Sequence, residues 1–242
     1  KKEVFCYQKA DFVTYRDHRF THLNSELIRN KENAALLLDG CLTNDSYGKL
    51  KRINRKNIKF VYCGNIPEPD SKSSRNYHLE FANRAAEYGA EYHVYPLHKK
   101  VVGQYRERQS LLSNINNFFI HEPLSYPNLI LELSKYDVGV DLLSINGGRQ
   151  PEAIDFYSSQ CSNYASNNKL FDYIDAGLQV ITHKSEFNKS TFNGTEGIHF
   201  IESYDEIWTK LSSTTPRCMI PSEFKLTHMG QILQNIYTSL IL

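Results

Sequence analysis

Neither sign of charge is in excess in this 242-residue chain: 28 Lys and Arg stand against 27 Asp and Glu, for a formal net charge of +1. No overall field points to nucleic acid or to an anionic surface, and no nucleic-acid partner is expected. Cysteine is sparse and scattered. Cys6, Cys41, Cys63, Cys161 and Cys218 form no Cys-x-x-Cys pair, which argues against a structural zinc site and fits reduced thiols in a cytoplasmic protein. None of the nine histidines belongs to a His-Glu-x-x-His motif, so no catalytic metal is expected. No apolar run is long enough for a membrane-crossing helix. No Gly-x-Gly-x-x-Gly follows a first strand, which argues against a nicotinamide dehydrogenase, and no Gly-x-Ser-x-Gly nucleophile elbow is present. The chain opens on Lys1-Lys2 without Met, as a boundary inside a longer protein would.

What is present is an alternation of short apolar strands and amphipathic stretches. Strands are expected at 13–15, 34–38, 58–62, 91–95, 117–120, 137–143, 178–182 and 198–201. Helices are expected at 1–9, 18–28, 77–88, 127–135, 167–176, 205–211 and 224–240. Gly89 and Gly177 stand where helices stop. The polar, basic stretch 44–57 reads as a linker, and 97–116 as a basic connector, helical in part. The long polar segment 144–166 contains Gly147-Gly148 and reads as a functional loop, expected to order around a ligand. The fold class that follows is α/β, a Rossmann-like parallel sheet with helices on both faces.

In such a sheet, ligands bind outside the carboxyl ends of the strands. Four loops leave those ends, at 63–76, 96–116, 121–126 and 144–166. The last runs into the helix that opens at Ser166 or Asn167, either of them a plausible N-cap. A helix start offers backbone N–H groups and a positive dipole end, which suits a diphosphate. Lys169 and Asp172, three apart, share one face there, with Leu170, Tyr173 and Ile174 opposite. The Lys can neutralise phosphate and the carboxylate can accept both hydroxyls of a ribose. A local ion pair near a helix start accounts for the same spacing. Lys72 and Arg75 sit in a Ser-rich loop as phosphate ligands or as solvated charges. A solvated face explains His98-Lys99-Lys100 and 106–108.

The run Ser166-Asn167-Asn168-Lys169-Leu170-Phe171-Asp172-Tyr173-Ile174-Asp175-Ala176-Gly177-Leu178-Gln179-Val180-Ile181 resembles a segment of GT-B-fold glycosyltransferases of the retaining group 1 type. There a Lys-Leu-x-Glu-Tyr-Leu-x-x-Gly-x-Pro-Val-Ile pattern follows the donor loop. Tyr136-Asp137-Val138-Gly139-Val140 and the strands before it are similar to the same family, as is 10–40. The specific part is 134–181. The resemblance implies a donor domain at 45–242, preceded by the tail of an acceptor domain at 1–44. Asp172 matches the ribose-binding acid. Asn167, Asn168 and Lys169 match the diphosphate site, joined by Gly64, Lys72 and Arg75. Glu122, Pro123 and Leu124 match the loop that reads the base. The sequence departs from the family at Asp172, where Glu is usual, at Gln179, where Pro is common, and at Tyr164, where retaining members place a first Glu. Glu152 and Asp155 are not assigned by any spacing.

The resemblance implies the donor half of a hexosyltransferase. The partners expected are a nucleoside-diphosphate sugar, a glycan or lipid-linked acceptor, and an N-terminal acceptor domain supplied by the rest of a longer parent. No separate cofactor is expected, the nucleotide sugar being a substrate. The isolated chain is expected to bind nucleotide and to be nearly inactive, and the parent to touch the membrane periphery from the cytoplasm. A GT-B-fold nucleotide-sugar epimerase and a non-catalytic nucleotide-binding or scaffolding module are the alternatives.

Overall fold

The structure is a computed structural model, and it describes residues 10–17, 33–38, 40–41, 57–68, 77–111, 116–142, 163, 167–211 and 220–241. The expected helices at 1–9 and 18–28, nearly all of the linker at 44–57, and all of the loop 144–166 except Asn163 lie outside those residues. So do Lys72, Arg75, Glu152, Asp155 and Tyr164.

Two short strands, β1 (Val13–Tyr15) and β2 (Ala34–Leu36), pair in parallel as a sheet of their own. Six more build the main sheet: β3 (Lys59–Gly64), β4 (Glu91–Pro96), β5 (Phe118–Ile120), β6 (Val138–Asp141), β7 (Gln179–His183) and β8 (Ile198–Ile201). Their order is β5-β4-β3-β6-β7-β8, and every pairing is parallel. This is the doubly wound, Rossmann-like order, with a switch point between β3 and β6, where the chain stops building one side and starts the other.

The strands form where they do because they are apolar on both sides, as a sheet covered on both faces requires. Alternation in β3 sends Phe60 and Tyr62 to one face and Val61 and Cys63 to the other. On the first face pack helices α1 (His78–Glu87), α2 (Lys99–Leu111) and α6 (Asp205–Lys210). Its core is aromatic: the Phe81 ring meets Phe60 edge-on at 5.2 Å and Tyr92 at 4.6 Å. On the second face lie α3 (Tyr126–Leu133), α4 (Asn168–Asp175) and α5 (Glu186–Phe192). The 3₁₀ turn Ser222–Phe224 sends the Phe224 ring among them, 5.7 Å from Phe171 and 5.1 Å from Phe192. The closing helix α7 (Leu226–Ile241) follows that turn and buries Met229. Cys41 joins this second core, its backbone exchanging hydrogen bonds with Phe224 and Leu226.

Three elements differ from the sequence reading. The basic connector is a regular helix, α2, over most of its length; its Val101, Val102 and Tyr105 are buried against the sheet. Helix α5 was not expected, because Phe187 and Phe192 are five apart and its other residues are polar. Its start is nevertheless marked: the Ser185 side chain accepts from the Asn188 N–H at 3.0 Å, and Glu186 opens the first turn. The closing helix starts at Leu226 rather than 224, since Phe224 belongs to the 3₁₀ turn.

Gly177 takes a left-handed φ of 72° after α4 and lets the Leu178 N–H return to the Tyr173 carbonyl at 2.9 Å. Gly139, on β6, allows a closer approach. A Cβ there would lie 2.3 Å from the Tyr173 ring. Tyr173 thus rests on bare backbone at the switch point, where β3 and β6 pair only at Phe60↔Val138 and Val61↔Gly139. Past those rungs the Tyr173 hydroxyl connects the two strands. It accepts from the Cys63 N–H at 3.0 Å and donates to the Val140 carbonyl at 3.1 Å.

Candidate functional site

All six strands of the main sheet point the same way, so their carboxyl ends share one edge. Where β3 and β6 part, that edge gathers Gly64, Asp141, Asn167 and Lys169. Asp141, the last residue of β6, is wholly buried. Its Oδ1 accepts from Lys169 Nζ at 3.1 Å and its Oδ2 from Asn167 Nδ2 at 2.8 Å. Lys169 comes from the first turn of α4, and its ammonium lies 5.0 Å from the centre of the Tyr62 ring. Gly64 closes β3 with φ at 137°, and a Cβ there would press on the Lys169 Cε at 3.3 Å. A glycine at the end of β3 therefore both adopts the backbone and leaves the path for the lysine stem.

Burial pushes the Lys169 ammonium down. The Asp141 carboxylate, helped by Tyr62, outweighs it and holds the group above its usual range, so the lysine stays charged. The spacing of Lys169 and Asp172 had allowed a local ion pair. Lys169 turns instead across the cleft to Asp141, while Asp172 Oδ1 accepts from the Tyr126 hydroxyl at 2.9 Å. Burial, then the Asp172 carboxylate, pushes the Tyr126 phenol upward and keeps it a donor. Asn167 is the N-cap of α4 by backbone position, but its side chain makes no cap hydrogen bond and goes to Asp141. Asn168 Oδ1 accepts from the Arg16 guanidinium, which ties the residue after β1 to the start of α4.

Tyr126, two residues after Leu124, puts the end of the 121–126 loop beside Asp172. Within that loop Glu122 pairs with Arg106 at 3.0 Å and approaches Lys99 at 4.0 Å. Lys100 likewise reaches Glu68 at 3.5 Å. These basic residues of α2 are thus partners of the two flanking loops and not only a solvated face. Pro123 is partly buried and Leu124 is exposed. Lys72 and Arg75 lie outside the described residues.

The sequence reading missed Asp141 and His183. Asp141 ends an otherwise apolar strand, and the signal available was that lone carboxylate at the strand's carboxyl end. His183 extends β7 by one residue, and its Nδ1 lies 3.3 Å from the Asp141 carbonyl, to which it donates. Among the described residues, no three His, Cys, Asp or Glu side chains are grouped to hold a metal ion, and no helix is long and apolar enough to cross a membrane.

No protein-family model matches the chain, and no curated protein matches it in sequence. Solved structures resemble it at low identity. UDP-GlcNAc 2-epimerase from Methanocaldococcus jannaschii, in complex with UDP-GlcNAc and UDP, is 10% identical at a TM-score of 0.47, over 76% of this chain and 46% of that one. The Neisseria meningitidis UDP-GlcNAc 2-epimerase bound to UDP-GlcNAc is 13% identical at 0.42, over 77% and 46%. TarM is 12% identical at 0.49, over 99% and 39%. The chain therefore spans less than half the length of each of these proteins. Likenesses this low carry neither activity nor ligand across, and the fold rests on the sheet order itself.

Proposed function

We propose that this chain is the nucleotide-binding half of a two-domain glycosyltransferase of GT-B type. It would hold a nucleoside-diphosphate sugar at the β3/β6 switch point for transfer to a glycan or lipid-linked acceptor. The observation that carries the reading is the convergence of Gly64, Asn167 and Lys169 on the buried Asp141 at the carboxyl ends of β3 and β6, below the first turn of α4. A strand crevice facing a helix start is where doubly wound sheets take phosphates. The likeness of 134–181 to the family's donor segment supports the same reading.

In this reading the start of α4 and Lys169 face the diphosphate, and Asp172 accepts from the ribose hydroxyls, with Tyr126 fixing the carboxylate. The loop at Glu122, Pro123 and Leu124 meets the base. Lys72 and Arg75 are proposed as further phosphate ligands and the loop 144–166 as a segment that orders on the donor, and residues 1–44 as the tail of an acceptor half whose Cys41 docks on the core of this one. Stabilising the departing diphosphate by a helix dipole and a cation lowers the barrier without a dedicated general acid.

A thermal-shift series with uridine, guanosine and adenosine diphosphates and their sugars tests the reading. A ligand bound only by the folded chain raises the melting temperature, and no rise with any of them defeats the proposal. Asp172→Asn should then weaken nucleotide affinity about tenfold, the loss of one hydrogen bond to a charged acceptor. The melting temperature should be nearly kept. Unchanged affinity with a lower melting temperature would make Asp172 a partner of Tyr126 alone.

A further inference from the structure

Resting on that reading of the site, we infer that Asp141 is a specificity-determining residue, a built-in anion that holds Lys169 and Asn167 and sets how much negative charge the pocket accepts from a ligand. The strongest cation expected to meet a diphosphate is already matched. Asp141 is wholly buried, and both of its carboxylate oxygens are engaged, one by Lys169 Nζ at 3.1 Å and the other by Asn167 Nδ2 at 2.8 Å. The carboxylate projects from a strand end and is held at both oxygens, whereas Lys169 stands on a flexible stem. An arriving phosphate must therefore share the ammonium with Asp141 or draw it away.

The pair has no net charge, so the pocket attracts a diphosphate through the helix start and the remaining N–H donors of Lys169. It does not carry a full positive charge toward the ligand. The electrostatics follow from distance: a unit charge about 3 Å from the ammonium, in a surrounding of low polarisability, offsets most of the attraction that a second anion would feel there. Asp141 thereby favours ligands that bring neutral hydrogen-bonding groups, such as a nucleoside and a sugar, over small, highly charged phosphates.

Inorganic pyrophosphate is the probe that separates charge from nucleoside recognition. Its affinity is measured by calorimetry for the full chain, for Asp141→Asn and for Asp141→Asn/Lys169→Met. Asparagine keeps the size and both hydrogen bonds, since its amide can accept from Lys169 and exchange roles with Asn167. Asp141→Asn should bind pyrophosphate roughly tenfold more tightly, while its melting temperature without ligand falls. The double variant should lose that gain. Affinity for pyrophosphate that is unchanged or weaker in Asp141→Asn overturns the inference, as does no pyrophosphate binding by any of the three proteins. If Asp141→Asn does not fold, the double variant decides alone, because it leaves no buried ion unpaired. Affinity within about threefold of the unmodified chain supports a wild-type pair without net pull, and any larger loss overturns it. The parent reading fails separately, when the unmodified chain binds no nucleoside diphosphate.

Discussion

Two polar clusters are buried on the α3–α4 face of the main sheet, and they differ in how they treat charge. At the switch point Asp141 and Lys169 keep theirs and neutralise each other. Near the outer strands, His93 and His121 give theirs up. His93 Nε2 lies 3.1 Å from Glu91 Oε2, so it carries the proton and donates, which leaves Nδ1 to accept from His121 Nε2 at 2.9 Å. The His121 ring stacks on Tyr95 at 4.4 Å, and the Tyr95 hydroxyl meets the Tyr136 hydroxyl at 2.7 Å and Glu132 at 3.1 Å. Burial, then the neighbouring His93, pushes the His121 imidazole down to about 4. Burial lowers His93 too. Burial here favours the neutral form of the two imidazoles, while Glu91 and Glu132 at the rim of the cluster are held toward the charged form. Where the strands part, a matched pair of charges is retained instead.

The largest test of this contrast is Lys169→Met. It leaves Asp141 buried without its counter-ion and should cost about 3–5 kcal/mol in chemical denaturation, most of it recovered when Asp141→Asn is added. A cost below about 1 kcal/mol would place Asp141 in contact with solvent or with another cation. A smaller effect, and a pH-dependent one, belongs to the histidines. The unfolded chain protonates His121 before the folded chain does, so the stability that this group contributes is complete above about 6.5 and is lost as pH drops toward about 4. One such group contributes at most about 1.4 kcal/mol per pH unit in that window, and less here because His121 is partly exposed to solvent. His121→Gln should flatten that acid limb, and an unaltered limb would place the acid sensitivity elsewhere. Tyr136→Phe should have the least effect, about 1 kcal/mol for one hydroxyl whose partner, Tyr95, keeps Glu132. Denaturant midpoints for the three variants then rank the charged cluster above the neutral one, or reverse them.

The main sheet was legible in the sequence because its strands are apolar runs closed by turn residues. The observed bounds of β3 to β8 fall within a residue or two of the expected ones. Helix α4 was legible through its stop at Gly177 and its buried Leu170, Tyr173 and Ile174. The misses have a common physical cause. Helix α5 is held by a cap and two distant phenylalanines rather than by a repeating apolar face. Asp141 looks like an interruption of a strand until a partner from residue 169 is brought beside it. Long-range pairing of this kind has no local period to read. Of the expected site, Gly64, Asn167 and Lys169 come together through Asp141. Asp172 sits one turn further along α4 beside Tyr126, and Glu122 is engaged by α2.

Tyr173 fixes a dimension as well as filling a core. With its ring on the bare backbone of Gly139 and its hydroxyl spanning from β3 to β6, it works as a spacer bar of set length between the two lips of the crevice. A lip cannot swing outward without losing a hydrogen bond, nor inward without meeting the ring. The separation of β3 and β6 at this point is therefore set by the fold itself. The same bar engages the Cys63 amide, so that N–H is already spoken for and does not take part in cradling a phosphate. Its hydrogen should exchange slowly with solvent whether the crevice is empty or full.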